Sequence, residues 1–192
     1  MKQTHKRQET RQKLVDAAGR SFRSHGFSGV GVDAIAKSAG ATSGAFYAHL
    51  NSKSDAFLVA LESGLNEVIE AVPTYQSEHG EDWIDAFVDY YLGKPHRDDL
   101  ACGCAMTTLS PDVMRGNERA QSLYQQSMSK IANLIADGLP SGDIKGRKMR
   151  AWAFLQVLIG GLIMSRSMLS AEASNRVAEA AKTSALAIAK TP

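Results

Sequence analysis

Apolar residues in this chain recur in steps of three and four, in runs cut by glycine and proline, a pattern that predicts helices throughout and no strand. From Thr10 the stripe Leu14, Ala17, Ala18, Ser21 and Phe22 predicts a helix that Gly26 ends, with Phe27 folding back as an apolar anchor. Lys2 to Arg7, polar and basic, reads as an arm that follows a phosphate backbone or stays disordered in solvent, disorder being the expectation for the free protein. Val32 to Ala39 and Thr42 to Leu50 then read as two short helices joined by a tight turn at Gly40. Ile35, Ala36 and Ala39 make one apolar face of the first, which Gly31 has to cap. Thr42 caps the second, whose Phe46 and Leu50, four apart, face Ile35.

Further along, Phe57, Leu61, Leu65, Val68 and Val72 predict a long helix from Lys53 that stops at Pro73, with a polar loop to Gly80. A helix over Asp82 to Leu92 is broken at Gly93 to Pro95, and Arg97 to Asp99 reads as a loop. Ala101 to Leu109 is expected as a short helix around Cys102 and Cys104, closed by Ser110-Pro111, and Val113 to Leu139 as one long helix. Two final helices are predicted over Gly146 to Leu169 and Glu172 to Ala189. The first is apolar on so broad an arc that it must be covered on two sides. The second carries small side chains that permit close helix approach. This pair suits either an intramolecular bundle or a dimer seam containing Leu162 and Ala181. The fold class is therefore all-α: an N-terminal helix-turn-helix domain, residues 1–52, followed by a helical domain, residues 53–192.

The outward face of the second short helix consists of Ser43, Gly44, Ala45, Tyr47 and His49. Small groups at its N-terminal end allow close approach to base edges, while the phenol, the imidazole and Lys53 can reach phosphate oxygens. A recognition helix enters a major groove in this way.

These residues carry a resemblance. Ile35-Ala36, Ala39-Gly40, Gly44, Tyr47, His49 and Ser52-Lys53, with Asp16-Ala17-Ala18, Phe22 and Gly26-Phe27 upstream, resemble the DNA-binding signature of the tetracycline-repressor (TetR) family of transcriptional regulators. The sequence departs from that signature at Val30-Gly31, where Thr or Ser is usual, and at Ala45, where Thr is common. The resemblance implies a regulator whose Val32, Thr42, Ser43, Gly44, Ala45, Tyr47, His49 and Lys53 contact double-stranded operator DNA. It also implies that the last two helices form a homodimer and that a small-molecule effector binds the C-terminal body, most members of the family being repressors that such a molecule releases. A DNA-binding architectural protein without effector and a small-molecule-binding helical bundle are the rival readings.

Composition sharpens this only when divided along the chain. The formal net charge is +2, but up to Asp55 nine lysines and arginines face four acids, a net +5 that leaves −3 for the remainder. A basic reader joined to a mildly acidic body suits a partner made of phosphates. The N-terminus lacks the apolar core of a signal peptide, and Trp152 to Met164 is too short to span a bilayer, so the chain is expected in the cytoplasm. Trp83, Phe87, Tyr91, Met106, Tyr124, Met128 and Trp152, with Met114, could line an apolar effector pocket or simply pack as core. Cys102 and Cys104 read either as small packed hydrophobes or as a thiol sensor. No catalytic arrangement, cofactor motif or metal-ligand spacing is expected.

Overall fold

The computed structural model describes residues 2–191, with side chains from residue 5 onward. Met1 and Pro192, the outer ends of the two predicted domains, lie outside the described residues. Among the described residues eleven α-helices follow one another: α1 Lys2–His25, α2 Val32–Ser38, α3 Ser43–Leu50, α4 Lys53–His79, α5 Trp83–Tyr91, α6 Lys94–Asp98, α7 Ala105–Thr108, α8 Ser110–Arg115, α9 Glu118–Gly138, α10 Ile144–Arg166 and α11 Ala171–Lys190. A 3-10 turn over Gly80–Asp82 leads into α5, and no strand occurs among the described residues. The chain forms two compact units, one of Met1–Leu65 with Leu100–Tyr124, the other of Asn66–Asp99 with Gln125–Pro192.

Several boundaries differ from those expected. The segment read as a disordered arm is helical from Lys2, because it contains good helix formers and neither glycine nor proline, and His5 pairs with Glu9 at 3.0 Å, one turn on. Pro73 does not stop α4. It sits exposed, where its missing N–H costs a single bond, and packing holds the turns beyond it. There Gln76 Nε2 donates to the Leu134 carbonyl at 2.9 Å and the Tyr75 ring meets Phe87 edge-on at 5.4 Å. The single helix expected over Val113 to Leu139 is two, since Gly116 adopts an extended conformation and Asn117 Oδ1 accepts the Ala120 amide at 3.0 Å to start α9. Pro111, expected to close a helix, instead opens α8 at a position that needs no N–H. Lys94–Asp98, expected as a break and a loop, is a short helix with proline in its first turn. Cys102 and Cys104 precede α7, exposed and buried respectively, in place of the expected helix around them.

In the first unit, Leu14, Ala18 and Phe22 of α1 are buried with Ile35, Phe46, Leu50, Leu61 and Met106. Phe22, Phe27 and Phe57 form a three-ring cluster with centroids 5.4–5.9 Å apart. Gly64 allows α4 and α7 to close up, since a Cβ there would lie 2.6 Å from that of Ala105. It also seats Arg23, whose guanidinium occupies the same space, so Arg23 turns inward instead of joining Arg11 and Arg20 on the outer face.

In the second unit, Trp83 Nε1 donates to the Gly138 carbonyl at 3.1 Å, and Phe87 lies against Tyr91 and Phe154. Helices α10 and α11 form its most extensive pairing. Lys182 and Lys190 of α11 bridge to Asp89 and Asp85 of α5 at 2.9 and 2.7 Å. Arg166 donates to the carbonyls of His96, Arg97 and Asp99, anchoring α6. His96 is buried against Tyr90 and Tyr91, and that burial lowers its pKa. The crossing of α10 and α11 depends on Gly161, where a Cβ would stand 2.4 Å from that of Ala181. Gly161→Ala is therefore expected to cost ~1–3 kcal/mol in urea denaturation, the usual range for overpacking. Adding Ala181→Gly should recover part of that loss, and additive effects in the double variant would contradict the contact.

Candidate nucleic-acid interface

Helices α2 and α3 meet around Gly40. Its φ of +67° lets the chain reverse, and the Ala41 amide returns to the Ala36 carbonyl at 2.9 Å. Gly31 caps α2 without a side-chain bond, as expected from its lack of one. Thr42 Oγ1 accepts the Ala45 amide at 3.1 Å and starts α3. The Ser43 hydroxyl donates to the Asp33 carboxylate, tying the first turn of α3 to that of α2. Asn51, at φ +56°, ends α3, and Ser52 opens α4 by accepting the Asp55 amide at 3.0 Å while donating to Asp55 Oδ2 at 2.8 Å. This is a reciprocal cap with aspartate at its third position.

With Phe46 and Leu50 buried, α3 turns its other side to solvent. Thr42, Gly44 and Tyr47 are exposed, while Val32, Ser43, Ala45 and His49 are partly so. The eight residues predicted to read DNA thus lie on α2, α3 and the start of α4, all within the first unit. Lys53 is seated differently from a free lysine, with Nζ 4.5 Å from the centroid of the Phe27 ring. Lys6, Arg7, Arg11, Lys13, Arg20 and Lys37 stand exposed in the same unit.

The helix-turn-helix has supports that sequence pattern did not reveal. Asp112 Oδ2 accepts the Phe27 amide at 2.8 Å, and Arg119 pairs with Asp55 at 3.1 Å. These partners are 85 and 64 residues apart in sequence, beyond the reach of any local pattern.

The seven residues offered as effector-pocket lining do not fall in one unit. Met106 and Tyr124 belong to the first, where the Tyr124 hydroxyl accepts from Ser110 at 2.9 Å and burial raises its pKa. Trp83, Phe87, Tyr91, Met128 and Trp152 belong to the second. Four of these five are buried, but Trp152 is 39 % exposed on the outer side of α10. Met114 is 70 % exposed. Leu162 and Ala181, expected in a seam between protomers, are instead 0 % and 9 % exposed within their own unit. The outer side of α10 exposes Met149, Trp152, Gln156 and Ile163 with Ile159 half-buried among them, and the outward face of α11 carries exposed Ala180 and Ser184 beside half-buried Val177 and Ile188. Among the described residues no helix is long and apolar enough to cross a membrane, and no group of three or more His, Cys, Asp or Glu side chains is placed to hold a metal ion.

Residues 14–60 match the family described as bacterial regulatory proteins, tetR family. Across 164 residues the chain is 26% identical to the HTH-type transcriptional repressor SCO4008 of Streptomyces coelicolor, covering 79% of this chain and 84% of that protein. It is 41% identical over 71 residues to the HTH-type transcriptional regulator AcrR of Shigella flexneri, covering 37% of this chain and 33% of that protein. The structure of a TetR-family transcriptional regulator from Cytophaga hutchinsonii superimposes with a TM-score of 0.79 at 12% identity, over 97% of this chain and 98% of that one.

If Thr42 holds α3 by its cap, Thr42→Ala should lower stability by ~1 kcal/mol and Thr42→Ser should largely restore it. Urea titration of the three proteins checks this, and equal midpoints for all three would remove the cap from the account.

Proposed function

We propose that this chain, whose residues 14–60 match the tetR family of bacterial regulatory proteins, is a homodimeric repressor released from a palindromic operator by a small molecule. The observation that carries this reading is the outer face of α3, where an exposed phenol and glycine stand beside half-exposed Ser43, Ala45 and His49 on a helix whose inner face is buried. Ser43 and Ala45 would face base edges. Tyr47, His49 and Lys53 would contact phosphates, Phe27 holding the Lys53 ammonium at the start of α4. The likeness to a named repressor supports repression over activation.

Dimerisation would use the exposed stripe of α10 with the outer face of α11. A helix that shows Met149, Trp152, Ile159 and Ile163 in steps of three, seven and four leaves an apolar surface that a second copy would cover. Two recognition helices related by a two-fold then enter successive major grooves, ~34 Å apart. For release, α4 is one uninterrupted helix whose first half belongs to the unit of the reader and whose second half belongs to the other. An effector admitted among Trp83, Phe87, Tyr91 and Met128, which are closely packed at rest, would have to open that core and so shift α4. The effector need supply only its difference in affinity between the two states, ~1–3 kcal/mol.

Selection of bound DNA from a random pool tests the function directly, with a pseudo-palindrome expected. Lys53→Ala and Tyr47→Phe should weaken selected and random DNA alike and flatten the salt dependence, whereas changes at Ser43 or Ala45 should alter base preference. A pool that yields no common sequence, or variants that match the parent at every salt concentration, would overturn the assignment.

For the dimer, Ile163→Glu places an unpaired charge in the proposed seam and should give well-folded monomers by sedimentation with operator affinity largely lost. Leu162→Glu, by contrast, should unfold the protomer. A parent protein that sediments as a monomer at micromolar concentration would contradict the assembly.

A further inference from the structure

A cleft of about 620 Å³ opens in the first unit between the turn after α1 (His25 to Gly29), the start of α4 (Ser54, Phe57, Leu58) and the segment from α8 into α9 (Asp112, Arg115 to Asn117, Ala120). Its size is that of a site for a drug-sized molecule, roughly 300–1,000 Å³. The apolar lining is partly aromatic, with the rings of Phe27 and Phe57 edge to face at 5.5 Å beside Leu58 and Ala120.

The charge in this cleft is unevenly placed. Arg115 has a side chain 69% exposed and lies in water, whereas that of Asp112 is 15% exposed. Their nearest approach is 3.9 Å, too long for a hydrogen bond. Asp112 commits Oδ2 to the Phe27 amide and leaves Oδ1 with only that loose contact. A carboxylate oxygen held in a partly dry wall beside two aromatic rings favours a positive nitrogen attached to an apolar body. Attraction strengthens as the ligand displaces water, and ring faces add their own pull on a cation.

We propose that this cleft binds a small amphipathic organic cation, its nitrogen on Asp112 Oδ1 and its apolar body against Phe27 and Phe57, and that its occupancy is read out through Lys53. Phe27 makes the connection. Its amide is held by Asp112 and its ring seats the Lys53 ammonium, although Lys53 does not itself line the cleft. The turn before it depends on Gly26, at φ +71° with its Cβ position 3.4 Å from Asp112 Oδ2. A ligand that draws on Asp112 or displaces the Phe27 ring therefore moves the seat of a residue at the edge of the DNA reader. This readout rests on the regulator reading above; binding in the cleft does not.

The test uses the full chain and three probes with one ring system: 1-naphthylmethylammonium, 1-naphthylmethanol and 1-naphthylacetate. By calorimetry without DNA, the cation should bind at least tenfold more tightly than the alcohol, about what one charge-assisted hydrogen bond supplies, and the carboxylate should bind weakest. Asp112→Asn keeps an acceptor for the Phe27 amide while removing the charge, so it should erase the cation's advantage and leave the alcohol unchanged. Arg115→Ala, on an exposed side chain, should raise the cation's affinity several-fold. A cation no better than the alcohol, or an advantage that survives Asp112→Asn, would overturn the site. Saturating cation should also weaken binding to pool-selected DNA, and unchanged DNA affinity would overturn the readout through Lys53. A protein that selects no DNA sequence would contradict the regulator reading while the calorimetric arms still decide the cleft.

Discussion

Helices α2 and α3 have seven and eight residues, well short of the ~12–15 that a helix needs to persist alone in water. Their geometry is therefore imposed from outside, by packing on α1 that leaves Ile35, Phe46 and Leu50 buried together with Leu14, Ala18 and Phe22 of that helix. Everything proposed for the reader depends on that dry contact. It frees the opposite face of α3 to be polar and small, and it lets single bonds at Thr42, Asp33 and Ser52 set the angles of helices that could not set their own.

The helix-turn-helix was legible in the sequence because its determinants are local. A glycine at the turn, a threonine cap and a stripe at positions 35, 46 and 50 lie within a few residues of what they control. The supports from Asp112 and Arg119 were not legible, since nothing in their own neighbourhood marks them as partners of Phe27 and Asp55. Pro73 misled for a related reason, as the bonds that carry α4 past it come from Leu134 and Phe87 on other helices. In α10 the apolar arc is so broad that periodicity could not say which part faces inward. Adjacent residues on a helix point about 100° apart, so Leu162 is buried while Ile163 is 42% exposed.

Charge in the first unit is sorted by geometry as well as by number. Asp55 and Asp112 are bound to neighbouring elements, and Asp33 accepts from Ser43. Arg11, Lys13, Arg20 and Lys37 extend into solvent. These acids thus hold turns together while these bases remain open to solvent, a division that net charge alone conceals. Phe27 stands where the two roles meet, its amide on an acid and its ring under a base.

Two copies of α3 are proposed to read one duplex together. A hydroxyl-radical footprint of the protein on its selected DNA tests this most directly, because backbone protection records where each copy lies along the helix. Two protected tracts are expected, related by the operator's two-fold and centred about one helical turn apart or somewhat more, on one face of the duplex. A single tract, or uniform weak protection that follows salt but not sequence, would contradict that arrangement.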